Sequence, residues 1–97
     1  MAIVAVFQSP TLTQAKYEET VKRLTGGEPR MTSPKDWPVQ GILVHAAGQG
    51  AGGFRVVDVW ESAEAFQRFG EKLMPILAAV GVEGQPEVYP AHTFVKA

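Results

Sequence analysis

The sequence of 97 residues contains no cysteine, carries little net charge and has no long run of apolar residues. Without cysteine the chain can form no disulfide, no thiolate metal site and no thiol nucleophile. Nine basic and ten acidic residues leave a formal net charge of −1. A protein that binds a nucleic-acid backbone needs a basic face, so we expect no nucleic-acid partner.

The apolar start of the chain is short. No basic residue precedes the apolar stretch of residues 1–7, which ends at Gln8, Ser9 and Pro10. This length is too small for the apolar region of a signal peptide and far too small to span a bilayer. We expect a buried first strand, no membrane partner and a cytoplasmic location.

What remains is the composition of an ordinary globular protein, with 45% hydrophobic and 20% charged residues. The length favours one domain, and we predict a single domain over residues 1–97. A chain this short buries about 60–65% of its unfolded surface, which suffices for one core. It does not suffice for a core and a deep private pocket, which argues at first against an enzyme.

Apolar periodicity predicts two helices and four strands. The helices are predicted at about 12–25 and 62–81, and the strands at about 2–8, 40–47, 54–60 and 86–95. The order β-α-β-β-α-β is typical of a ferredoxin-like α+β fold. Right-handed crossovers then place both helices on one face of a four-stranded antiparallel sheet.

Turn and capping residues support these boundaries. Thr11 and Gln14 have the spacing of a capping box at the start of the first helix, and Ser62 is predicted to cap the second. Pro75 lies inside the second helix and should kink or restart it. Segment 48–53 contains the pattern G-x-G-x-x-G, but a strand follows it, whereas a dinucleotide site needs a helix. We predict a glycine-rich hairpin loop there.

Alternation along the third strand separates two sets of side chains. The sets are Phe54, Val56, Asp58 and Trp60 on one side, and Arg55, Val57 and Val59 on the other. The mostly valine set suits packing under the helices, so we expect the first set, with Leu43 and His45, on the uncovered face. A continuous apolar patch on such a face usually marks an interface. We therefore predict a homodimer that packs sheet to sheet.

Few residues in the chain can carry chemistry. His45 and Asp58 are predicted on the same face, where a carboxylate can orient a histidine as a general base. The same pair can instead be a structural hydrogen bond between buried polar groups. With His92 the pair can also be read as a two-histidine, one-carboxylate metal site, but no local spacing supports that reading, and we predict no metal.

Aromatic side chains predict a lining for a planar hydrophobic ligand. The predicted substrate-binding residues are Trp60, Leu43, Val56, His92, Trp37 and Tyr89. The alternative is that these aromatic side chains serve only for ordinary packing, in the core or at a dimer interface.

Residues 58–69, D-V-W-E-S-A-E-A-F-Q-R-F, resemble the strand-to-helix junction of the dimeric α/β-barrel superfamily. The nearest likeness is to the branch of antibiotic-biosynthesis monooxygenases. The resemblance implies a dimer whose two sheets enclose a barrel-like pocket, with Trp60 at the position of a pocket-facing tryptophan. Haem-degrading relatives use an asparagine in the first strand and a histidine in the second helix, and this chain has neither. We therefore expect no haem degradation of that type.

The resemblance and the residues together predict a cofactor-independent monooxygenase that acts on an aromatic or polyketide-type small molecule. His45 with Asp58 would deprotonate the substrate, and Trp60 would shape the site. The alternative is a non-catalytic module that binds a small molecule or serves only in dimerisation.

Overall fold

The computed structural model describes all 97 residues and contains the elements in the predicted order. The strands are β1 (Ile3–Gln8), β2 (Ile42–Gly50), β3 (Gly53–Trp60) and β4 (Glu87–Pro90), and the helices are α1 (Gln14–Thr25) and α2 (Ala63–Val80). The sheet order is β2-β3-β1-β4 with every neighbouring pair antiparallel. This arrangement confirms the ferredoxin-like α+β fold. Neither helix is both long and apolar enough to cross a membrane.

Helix α1 begins at a different cap from the one predicted. The side chain of Thr13, rather than that of Thr11, accepts a hydrogen bond from the backbone N–H of Lys16. The Thr11 hydroxyl instead accepts from the backbone N–H of Glu83 at 2.7 Å. The capping box of Thr11 and Gln14 is therefore wrong, because a partner distant in sequence already holds the Thr11 hydroxyl.

Helix α2 is capped by Ser62, as predicted, through a hydrogen bond from the backbone N–H of Ala65. It runs without interruption through Pro75 to Val80, so the predicted restart does not occur. A proline inside a helix costs about 3 kcal/mol. Burial of the Phe69 and Leu77 side chains on either side of it offsets this cost.

The β2–β3 connection is tighter than the predicted loop over 48–53. The strands continue to Gly50 and from Gly53, and only Ala51 and Gly52 form the turn. Strand β4 is shorter than predicted and ends at Pro90. A proline has no backbone N–H to extend the ladder.

The helices cover the face of the sheet that we predicted to be bare. Trp60 is fully buried and stacks on Phe69 of α2 with ring centroids 5.0 Å apart, and Phe54 packs in a cluster with Leu77. The expectation was wrong because valine fits either face of a pleated sheet, so it did not identify the covered side. Large aromatic side chains gain more from burial than valines do, and they lie under the helices.

The uncovered face of the sheet carries the other set of residues. Its apolar members from four strands form what we call the open-face patch: Val4, Val44, Val57, Val59 and Tyr89. Val44 and Tyr89 are 40% and 43% exposed. An apolar sheet face without a layer on it therefore persists, although its residues differ from those predicted.

Candidate active site

A cavity of about 250 Å³ lies between the sheet and the two helices. Apolar side chains from two packed groups line it: Ala5 and Phe69 belong to the group around Trp60, and Leu12 and Leu77 to the group around Phe54. Of its 20 lining residues 14 are hydrophobic, and Asp58 is the only acidic or basic residue apart from His45. The cavity is thus an apolar chamber with its ionisable groups gathered at one place.

A chain of hydrogen bonds runs along that part of the wall. The Tyr17 hydroxyl lies 2.6 Å from Nε2 of His45, and Nδ1 of His45 lies 2.6 Å from Oδ1 of Asp58. Behind them, the indole N–H of Trp60 donates to Oδ2 of Asp58 at 3.2 Å. The His45 and Asp58 side chains are only 16% and 8% exposed. Four side chains from α1, β2 and β3 therefore form one buried polar network.

A bulge in β2 brings His45 into this network. Ile42 pairs with Trp60, whereas Val44 pairs with Val59 and not with Asp58, so the register shifts by one residue between them. The shift leaves His45 directly opposite Asp58. Without it, a strand of period two would place Ile42 and His45 on opposite faces of the sheet.

The direction of each hydrogen bond follows from the chemistry of the groups. An ionised carboxylate can only accept, so Nδ1 of His45 carries a proton towards Asp58. In the neutral ring Nε2 is then an acceptor, and the Tyr17 hydroxyl donates to it. Burial, and secondarily the negative charge of Asp58, raises the pKa of Tyr17 from 10.0 to about 12. Tyr17 is therefore a neutral donor at physiological pH.

Aromatic rings hold the network in place. The Trp37 ring meets the His45 ring edge-on with centroids 4.9 Å apart, and the Phe54 ring lies 5.0 Å from that of Tyr17. Such contacts restrict the two rings that form the hydrogen bond.

The predicted site residues are divided between different parts of the molecule. His45, Asp58, Val56 and Trp37 line the cavity, and His45 and Asp58 are in direct contact. Trp60 does not line it, because its ring is packed between the sheet and α2.

Three further predicted residues lie outside the cavity. Leu43 borders a separate shallow groove, Tyr89 is on the open face, and His92 is exposed beyond the end of β4. No three histidine or acidic side chains converge, so His45, His92 and Asp58 do not form the alternative metal site.

Tyr17 is the site residue that the sequence did not reveal. It shares the inward stripe of α1 with Val21 and Leu24, and all three line the cavity. Its helical spacing with these residues is typical of a core position. The one available signal was a hydroxyl on an otherwise apolar stripe.

A second, more polar groove adjoins the cavity. It has a volume of about 410 Å³, and its polar residues include Gln14, Glu18, Arg30 and Gln49. Tyr17 and His45 border both spaces, as does Met31. The hydrogen bond between Tyr17 and His45 thus lies where the apolar cavity meets a groove open to water.

The fold is shared with a solved oxygenase. SnoaB, a cofactor-independent oxygenase from Streptomyces nogalater, is similar over 99% of this chain and 96% of its own, with a TM-score of 0.57 and 13% identity. A monooxygenase from the gene ActVA-Orf6 of Streptomyces coelicolor, solved with nanaomycin D, is similar over 99% and 91%, with a TM-score of 0.46 and 21% identity. No protein-family model and no curated protein sequence matches the chain. The likeness to SnoaB confirms, at the level of the fold, the resemblance seen in residues 58–69.

Proposed function

We propose that the protein is a cofactor-independent monooxygenase that acts on a phenolic, polyketide-type small molecule. The observation that carries this proposal is the Tyr17–His45–Asp58 network on the wall of an apolar cavity. SnoaB is a cofactor-independent oxygenase with the same fold, which supports the reaction class. The His45–Asp58 pair supplies the base that such a reaction needs.

The chemistry requires proton removal before oxygen can react. An aromatic ketone with an acidic methylene, such as anthrone, loses a proton to give an electron-rich enolate. Dioxygen is the oxidant: one oxygen atom becomes the new carbonyl oxygen, and the other leaves as water with the two methylene hydrogens. In net terms His45 gains the first proton, and Asp58 stabilises the imidazolium that forms.

The cavity has the character that such a substrate needs. Ligand pockets usually have volumes of about 300 Å³ upwards, so a cavity of about 250 Å³ suits a compact ligand. Trp37, Phe66 and Phe69 supply aromatic walls, and most of the other lining residues are hydrophobic. A charge on the substrate can then interact strongly with the His45–Asp58 pair.

Oxygen uptake with anthrone tests the proposal. His45→Gln keeps a polar side chain of similar reach but removes the base, and we expect turnover to fall about 100-fold or more. Lys72→Gln, on a surface position of α2, is the control and should behave as the wild type. Wild-type turnover in His45→Gln would overturn the role of His45.

A non-catalytic small-molecule-binding module is the second candidate. One observation favours it: both ring nitrogens of His45 already have protein partners in the absence of a ligand. In that case anthrone would bind without oxygen uptake. His45→Gln would then lower the free energy of unfolding and change no activity.

We also propose that the functional unit is a homodimer formed through the open-face patch. A monomer would leave these valines and Tyr89 in water, and such patches usually mark interfaces. A second copy presents a face of the same shape and polarity, as a two-fold interface requires.

A further inference from the structure

We propose that Tyr17, and not His45, is the group that accepts the proton from the bound substrate. In the same step Tyr17 passes its own hydroxyl proton to His45. This inference rests on the proposed function and assigns the atom at which the reaction begins.

Neither ring nitrogen of His45 is free to accept a proton directly from a substrate. Nδ1 of His45 is held by Asp58 at 2.6 Å, and Nε2 is held by the Tyr17 hydroxyl at 2.6 Å. A substrate hydroxyl therefore finds no open lone pair on His45. It can reach Nε2 only by displacing Tyr17, whose ring packs against Phe54, from a His45 ring that packs against Trp37.

The hydroxyl oxygen of Tyr17 still has a lone pair that no protein donor uses. A phenolic oxygen carries one proton and can accept through its lone pairs. Its proton is engaged with Nε2 of His45, and no donor from the protein reaches the oxygen. Because Tyr17 lines the cavity, this oxygen is the unsatisfied acceptor available to a ligand.

Two proton transfers occur together and balance each other. The substrate O–H, or the acidic C–H of its keto form, loses a proton to the Tyr17 oxygen as the Tyr17 proton moves to Nε2 of His45. Tyr17 ends as it began, His45 gains one proton, and the imidazolium is paired with Asp58. The high pKa of Tyr17, about 12, means that it does not become a stable phenolate, which fits a relay and not a terminal base.

The location of the relay gives the proton a way out. Tyr17 and His45 border both the apolar cavity and the polar groove. The proton can therefore pass from the apolar cavity to the polar groove through these two side chains.

Anaerobic mixing with anthrone tests the relay, because the coloured enolate can accumulate when no oxygen is present. We expect Tyr17→Phe to bind anthrone with unchanged affinity, measured by quenching of tryptophan fluorescence, and to form the enolate about 100-fold more slowly. Lys72→Gln, at an exposed position of α2, is the control and should form the enolate at the wild-type rate.

A second measurement keeps the test independent of how well Tyr17→Phe folds. In a Tyr89→Phe variant Tyr17 is the only tyrosine, so fluorotyrosine incorporation labels it alone. The same variant with ordinary tyrosine is the reference. Fluorination makes the Tyr17 hydroxyl more acidic but keeps its hydrogen bond to His45. The rate of enolate formation should therefore change if Tyr17 relays the proton, and it should stay the same if Tyr17 has no part in the reaction.

The outcomes separate the relay from the proposed function. Enolate formation in Tyr17→Phe at the wild-type rate overturns the relay, since His45 would then act directly. Absence of enolate in the wild type overturns it as well. Tyrosine-dependent enolate formation, with no oxygen uptake once air is admitted, supports the relay and contradicts the monooxygenase.

Discussion

Trp60 donates its indole N–H to Oδ2 of Asp58 at 3.2 Å, two residues away on the same side of β3. Oδ1 of the same carboxylate faces His45 at 2.6 Å. Asp58 is therefore held from both ends, by the core side chain of Trp60 and by the ring of His45. Packing of the core thus fixes the orientation of the carboxylate that holds the His45 ring.

Replacing Trp60 tests this coupling. Trp60→Phe removes the N–H and leaves space in a fully buried position, so we expect the free energy of unfolding to fall by about 2–4 kcal/mol. Turnover should also fall, because one oxygen of Asp58 loses its donor. Denaturant unfolding and oxygen uptake measure the two effects.

Trp37→Phe is the matched control for that change. Trp37 is partly exposed at the edge of the cavity, so the same loss of an indole should cost less than about 1 kcal/mol of stability. Equal destabilisation by the two substitutions would contradict the special position of Trp60.

Asp58→Asn should impair the network more than its small change in shape implies. A carboxylate accepts from His45 and from Trp60 at once, whereas an amide has one acceptor atom and one donor atom. The amide side chain would therefore either face a donor with a donor or reverse the tautomer of His45. We expect turnover to fall about 100-fold or more, and nitrogen chemical shifts of the His45 ring to report the tautomer. A variant with wild-type turnover would show that the carboxylate has no role.

The pairing of His45 with Asp58 could be predicted from the sequence, but for a partly wrong reason. Both residues were expected on one face, which is correct, but that face was expected to be the uncovered one. Strict alternation in β2 separates His45 from Ile42, and only the bulge at Leu43 places both under the helices. No turn residue or proline in the sequence marks this bulge.

Tyr17 could not be identified for a different reason. Its spacing with Val21 and Leu24 predicts only that it faces inwards, and this is correct. The hydroxyl becomes significant through its contact with His45, 28 positions further along the chain. Local patterns fix which side of an element faces the core, whereas the contacts between elements decide which polar groups meet there.

The raised pKa of Tyr17 predicts how stability depends on pH. The folded state keeps the Tyr17 proton up to a pH of about 12, whereas the unfolded chain releases it near 10.0. Between these values the folded state binds more protons than the unfolded chain. The contribution of Tyr17 to the free energy of unfolding is therefore fully present below pH 10 and is lost as the pH rises through this window. Unfolding free energies of the Tyr17→Phe variant, measured alongside the wild type, should show a shallower decline. Parallel curves for the two proteins would contradict this assignment.

The open-face patch predicts the effect of charge on assembly. Val57→Glu places a carboxylate at the centre of the sheet face and should convert a dimer to a monomer. Light scattering after size-exclusion chromatography measures the mass, and Lys72→Glu on the outer side of α2 is the control. A wild-type protein that elutes as a monomer at micromolar concentration would overturn the proposed dimer.

The charge of the cavity predicts which ligands it admits. Asp58 is its only acidic residue, and no lysine or arginine lines it. A ligand carboxylate would be buried without a cationic partner and near a like charge, at a cost of several kcal/mol. We therefore expect neutral anthrone to bind about 100-fold or more tightly than the same ring system carrying a carboxylate.

A charge introduced at the rim of the cavity checks that explanation. Met74 lines the cavity from α2 and is 37% exposed, so Met74→Arg can place a guanidinium at the opening without a fully buried charge. Affinity for the carboxylated ring should rise, because the buried carboxylate gains a partner, while affinity for neutral anthrone should stay near its wild-type value. Met74→Gln, similar in length but uncharged, should leave the preference for the neutral ligand in place. If Met74→Gln improves binding of the acid as much as Met74→Arg does, space at the rim and not charge controls the selection.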